Sequence, residues 1–324
     1  MSKELRASIK GEYQLKLLRD NEVRQETPWF SNLITNAGLD HLGTLPFSTS
    51  AASGTSVERW AHIGTGTAIP SAGDTALESP VAYTQSEFSS ATRSGSYGED
   101  ESGYYFRVVH TVFRQFAPGG VVGNMSEVGI GPGGSSTRDA LLSRALIQDS
   151  NGDPTTLTVT ADDTVILVYR VTITWRVSTL AGSLTIDGDP YDYEMIPDFT
   201  ATSNNSGNIY VYRVGISTNS TAGVWFNKTL ANIGTPTSTV SWTNTGAATT
   251  SGSEAYVPGT YYRDSWIRTA GTNLTPECRA FHFRARGSQS GGLSNAYRVR
   301  FDPAIPIGAA QQIEFGFRAS WANE

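Results

Sequence analysis

A chain of 324 residues exceeds the ~250 to 300 at which a single hydrophobic core stops growing, so two domains are expected. Charged residues make up 17% and the formal net charge is -6; with no dense basic run to neutralise neighbouring phosphates, nucleic-acid binding is excluded as a reading. One cysteine, Cys278, rules out an intrachain disulfide and any metal site built from several thiolates.

No segment approaches the ~18 apolar residues of a membrane span, so no membrane insertion is expected. Lys3, Glu4 and Arg6 stand where a signal peptide would need an apolar stretch, which points to synthesis in the cytoplasm. The 33 glycines and 14 prolines cut the chain into short pieces, a pattern suited to many short strands rather than long helices.

Residues 9–17 alternate as a strand inside a charged segment, 1–28, that is either a docking segment or a strand completing the first domain. Residues 29–43 are the best helix candidate, with Ser31 as cap, Leu33, Ile34, Leu39 and Leu42 as one apolar stripe, and Gly43 at the end. The strand Trp60 to Ile63 leads into Gly64-Thr65-Gly66-Thr67, a turn that lacks the lysine of a phosphate-binding loop. Ser94 to Gly98 reads as a loop.

Strands are expected at 104–116, 121–130, 141–147, 156–160 and 165–177. Residues 179–208, rich in Asp, Asn, Ser, Gly and Pro, read as a linker. Further strands are expected near 209–216, 239–243, 261–268, 279–284, 296–301 and 312–321, with 245–253 as a surface loop.

Short marks of the first half recur in the second in the same order, roughly 150 residues on. Ile63-Gly64 corresponds to Val214-Gly215, Tyr104-Tyr105 to Tyr261-Tyr262, and Val128-Gly129-Ile130 to Phe281-His282-Phe283. Leu142-Ser143 corresponds to Leu293-Ser294, and the segment closing on Trp175 to the segment closing on Trp321. Strands keep their pattern while loops change length, so the expectation is an all-β protein of two tandem, internally duplicated β-sandwich (jelly-roll-like) domains with one short N-terminal helix. The modules span 29–178 and 209–324.

Residues of possible chemistry read mostly as structural. The histidines, His41, His62, His110 and His282, lack metal-pair spacing, and Glu99-Asp100-Glu101 and Asp162-Asp163 sit in solvated turns. Asp149, Asn151 and Asp153 alternate in a turn and form a candidate calcium site, without the glycine and distant glutamate of an EF-hand. Trp225, Trp242, Tyr256, Tyr261 and Trp266 are candidate glycan or partner contacts, with core aromatics as the competing reading. No catalytic residue and no cofactor are expected.

The run 29–42 followed by His62 to Pro70 and Asp74 to Leu77 resembles a pattern near the start of bacteriophage tail and other virion structural proteins. Met125 to Ile130, Leu142 to Ile147 and 157–175 are similar to a second such pattern, and Phe301 to Pro306 with 313–321 to closing strands of tail and baseplate subunits. The resemblance implies a noncatalytic tail, collar, baseplate or fibre-attachment protein, located in the virion, that assembles with itself and with neighbouring virion proteins. A receptor protein for host carbohydrate and a capsid decoration protein are the alternatives.

Overall fold

The computed structural model describes residues 3–48, 56–133, 140–177, 180–198, 211, 223–227, 232, 234–235, 244–245, 249–270, 277–284, 296–308 and 310–324. Among the described residues the chain is all-β with one short helix, as expected from the sequence. Among the described residues no helix is long and apolar enough to cross a membrane.

Nearly all the large sheet is one path, in spatial order Thr249–Ser253, Tyr262–Ala270, Gln312–Asn323, Lys3–Arg19, Thr164–Val177, Gly103–Phe116 and Glu87–Asp100. Glu22–Glu26 and Phe30–Ser31 also pair with Lys3–Arg19. A five-stranded sheet runs Leu33–Ile34, Ser143–Leu146, Glu127–Gly131, Trp60–Gly64 and Pro80–Thr84. A six-stranded sheet runs Leu180–Ile186, Asp189–Asp198, Ala296–Pro306, Glu277–Arg284, Gly223–Asn227 and Asn244–Thr245.

Alternation decides which face is buried. Ile9, Tyr13, Leu15 and Leu17 of the first strand, and Leu167, Tyr169, Val171 and Ile173 of its neighbour, all point to one side and are buried. The five-stranded sheet packs over that side, where the Tyr13 hydroxyl meets Ser143 Oγ at 2.7 Å. Gly11 belongs to the same buried row, because a Cβ there would stand 2.4 Å from the Asn32 amide.

Among the described residues, seven strands of each half enter their sheets in the same order. In the first, 60–64 and 80–84 enter the small sheet, 87–100 and 103–116 the large one, 127–131 and 143–146 the small one, and 164–177 the large one. In the second, 223–227, 244–245, 249–253, 262–270, 277–284, 296–306 and 312–323 take the corresponding places. The two outer triplets flank Lys3–Arg19, antiparallel to Thr164–Val177 and parallel to Gln312–Asn323. Trp175 and Trp321 both lie beside Ala7, and each is buried. A small residue between two indoles is what the packing there demands.

Several expectations are corrected. Segment 1–28 holds the central strand of the large sheet, because its alternating face supplies part of the core. Residues 180–198 of the expected linker form a hairpin, closed by Asp187-Gly188 in the left-handed conformation of a tight turn (φ 53° and 95°). The strand expected at 121–130 divides into Gly123–Met125 and Glu127–Gly131, which belong to different sheets. Residues 249–253 of the expected loop are a strand, as is Glu87–Asp100, which includes the expected loop 94–98. The helix is only Asn36–Leu42, capped by Thr35, whose side chain accepts the Gly38 amide at 2.9 Å. Phe30 and Ser31 pair with Tyr13 and Glu12 instead, so sheet pairing outcompetes the helical pattern. Apart from Val211, the strands expected at 209–216 and 239–243 lie outside the described residues, as do Gly215 and Leu293 of the repeated marks.

Candidate functional site

The densest polar cluster surrounds Gly64-Thr65-Gly66-Thr67. Glu127, fully buried on its strand, accepts the amides of Gly66 (3.0 Å), Glu78 (3.1 Å) and Ser79 (2.7 Å). Glu78 accepts the amides of Thr67 and Ala68 at 2.6 and 2.7 Å. These two amides hold the Glu78 carboxyl below the usual carboxylate range. A loop whose glycines suggest a cradle for an external anion is thus filled by carboxylates of its own chain. A Cβ at Gly66 would stand 2.5 Å from a Glu127 oxygen, which is why glycine sits there.

Arg144 closes the cluster from the neighbouring strand. Its side chain is buried, donates to Glu127 at 3.0 Å and to Asp74 at 2.6 Å, and reaches the Ala68 carbonyl at 3.1 Å. Burial pulls the guanidinium pKa down, and the bonds to Asp74 and Glu127 push it back above its ordinary value. Neither Glu127 nor Arg144 stood out in the sequence as a partner of the loop.

A second buried group lies on the inner face of the large sheet. His110 Nε2 is 3.4 Å from Glu58 Oε1, with both side chains fully buried, and the same Glu58 oxygen accepts the Ser48 amide at 2.7 Å. Arg114, on the strand of His110, donates to the carbonyls of Glu58 (2.9 Å) and Arg59 (3.1 Å). Arg93 has its pKa lowered to about 10 by burial, opposed by the charge of Glu58. His62 is also buried, its Nε2 2.9 Å from the Gly133 carbonyl. The His282 side chain is outside the described residues.

The candidate calcium residues are engaged in their turn: Asp149 accepts the amides of Asn151 at 2.8 Å and Asp153 at 3.1 Å. Among the described residues no group of three or more His, Cys, Asp or Glu is placed to hold a metal ion. At the hairpin tip, Asp100 pairs with Arg176, which lowers its carboxyl pKa, and Asp163 is held by Thr160 and Arg19. These acids are fixed in structural contacts.

Of the candidate glycan contacts, Tyr256 is turned to the first half. Its hydroxyl donates to Asp40 at 2.6 Å and its ring lies 5.5 Å from that of Trp321. Burial and the Asp40 charge raise its pKa well above the ordinary phenol value. Tyr261 is half-buried, and its carbonyl accepts the Trp321 amide at 2.9 Å. Trp266 is half-buried, with the Arg268 guanidinium 4.8 Å from its ring centre and the Gly252 backbone beneath it. The side chain of Trp225 and the whole of Trp242 lie outside the described residues.

No protein family, curated protein or solved structure matches the chain.

The joint between halves converges on the short helix. Asp40 also accepts the Gly259 amide (2.6 Å), Arg263 donates to the Gly43 carbonyl (3.1 Å), and Trp321 Nε1 to the Leu39 carbonyl (2.8 Å). Trp175 makes the reciprocal contact, donating to the Val211 carbonyl at 3.3 Å. A shallow, open groove of about 640 Å³ lies on the six-stranded sheet, where Glu194 pairs with Arg300 (3.4 Å) and Asp302 with Arg279 (2.7 Å). What these arrangements do chemically is fasten loops and strands.

Proposed function

We propose that the chain is a noncatalytic structural subunit of a bacteriophage virion: a tail, collar, baseplate or fibre-attachment part assembling with copies of itself and with neighbouring virion proteins. The observation that carries this reading is the repeated strand order: among the described residues, seven strands of each half enter the shared large sheet and a smaller one in the same sequence, around one central strand. Duplication of a β module accounts for that order and for the repeated sequence marks. Two blocks of like strand order would offer extended surfaces for neighbours, which suits a building part.

The commitment of Glu127, Asp74, Asp163 and Asp100 to structural ion pairs and loop amides supports the same reading, because acid–base catalysis needs carboxylates that meet a substrate. Immunogold labelling of purified phage particles with an antibody to this chain tests the proposal. Label at the tail, collar or baseplate is the expected result. Uniform label over the head would make the chain a decoration protein, and particles without label would refute the virion reading altogether.

A further inference from the structure

Asn151 is the one asparagine of the chain that is followed by glycine. The pair stands in the turn 149–153, closed by the bridge between Gln148 and Pro154, and both residues are exposed. Gly152 has φ 85°, the left-handed backbone that such turns favour, and a Cβ built on it would meet nothing within 4 Å. The space beside the Gly152 backbone is open.

The Asn151 carboxamide is unengaged among the described residues, the only hydrogen bond of Asn151 being that of its backbone amide to Asp149 Oδ1 at 2.8 Å. Other asparagines spend theirs: Asn124 accepts the Thr158 hydroxyl, Asn232 accepts the Gly234 amide, and Asn323 donates to the Ile34 carbonyl. The Gly152 amide donates to the Asp149 carbonyl at 3.1 Å, near the long end of the ordinary range. A bond of that length in a solvated turn opens at little cost.

We propose that Asn151 is a site of self-modification, where the chain converts its own asparagine to isoaspartate and aspartate without a partner enzyme. The Gly152 nitrogen, having lost its proton to water, attacks Asn151 Cγ. A bond from that nitrogen to Cγ forms, the Cγ–Nδ2 bond breaks, and Nδ2 takes up a proton and leaves as ammonia. Water then opens the succinimide ring. Addition at Cγ restores the ordinary backbone with an aspartate side chain; addition at the Asn151 carbonyl carbon leaves Gly152 attached through Cγ, which is isoaspartate. The balance is one water in and one ammonia out, with no oxidant, reductant or cofactor. Glycine at 152 matters because a side chain on the attacking residue would crowd the closing ring. Either product sets a new carboxylate between Asp149 and Asp153, so like charge gathers in the turn, and isoaspartate also lengthens its backbone.

The test incubates the full chain in mildly alkaline buffer at physiological temperature and follows it by peptide mapping with mass spectrometry and by an isoaspartate methyltransferase assay. Asn151 is expected to lose its amide ahead of Asn36, Asn124 and Asn323, with isoaspartate among the products and a rate that rises with pH. Gly152→Asp keeps a residue type that tolerates left-handed backbone. With its fold checked by circular dichroism, it is expected to slow the loss roughly tenfold or more. The same chain in urea is the reference for an unfolded turn. Loss at Asn151 no faster than at the other three asparagines, loss in urea but none in the folded chain, or a Gly152→Asp variant that reacts at the native rate overturns the proposal.

Discussion

At the scale of single residues, buried charges tie distant parts of the chain together. Arg144 and Glu127 are 3% and 0% exposed and 2.9 Å apart, so removing Arg144 leaves the Glu127 carboxylate buried with backbone amides alone to offset its charge. Arg144→Met is expected to lower the unfolding free energy by roughly 3 to 5 kcal/mol, measured by urea denaturation. The Gly64 to Thr67 turn was legible from its glycines. Its occupant was not, because Glu127 is remote in sequence and nothing local marks it as the group that fills the turn. Asp163 gives a prediction in pH. Its carboxylate accepts the Thr160 amide and hydroxyl and two Arg19 bonds, and the first of these leads in holding its pKa below the ordinary value. A depressed folded pKa adds stability that is complete above the unfolded value of ~3.9 and is lost as pH falls through the folded one. Asp163→Asn is therefore expected to flatten the fall in stability between about pH 5 and pH 2, read from urea midpoints across that range.

At the scale of elements, strands with an apolar face were legible and strands without one were not. Gly103–Phe116 and Thr164–Val177 alternate Phe106, Val108, Val112 or Leu167, Val171, Ile173 into the core, and that period is visible in the residues alone. Glu87–Asp100 is an edge of Ser, Gly and Thr with little to bury, so it carries no period. The helix was found but begun too early, because Phe30 packs on Tyr13 across a strand pair, a contact between residues far apart in sequence. Its true start makes a prediction. Thr35 is fully buried, caps Gly38, and donates to the Leu141 carbonyl at 2.7 Å, so Thr35→Ala is expected to cost about 1 to 2 kcal/mol by thermal or chemical unfolding.

At the scale of the molecule, the sequence marks raised the expectation of two like halves and carried no sign of how they join. Residues 1–28 were read as either a docking segment or a strand completing the first domain, because nothing in the second half corresponds to them. In the structure Lys3–Arg19 is the strand that both halves share, and its place depends on pairings with Gln312–Asn323 at the far end of the chain. Ala7 stands between Trp175 and Trp321 in that seam. Ala7→Leu is expected to cost about 1 to 3 kcal/mol through overpacking and to lower the melting temperature of the whole chain rather than of one half. Among the described residues the strands that enter their sheets in like order run from Trp60–Gly64 set against Gly223–Asn227 to Thr164–Val177 set against Gln312–Asn323. A single-particle reconstruction of the purified phage, at a resolution that shows side chains, tests the account most directly. It predicts this chain in several symmetry-related copies in the tail, collar or baseplate, each built of two blocks with the same strand order; a particle map fully accounted for by other proteins, with no density for this chain, would contradict it.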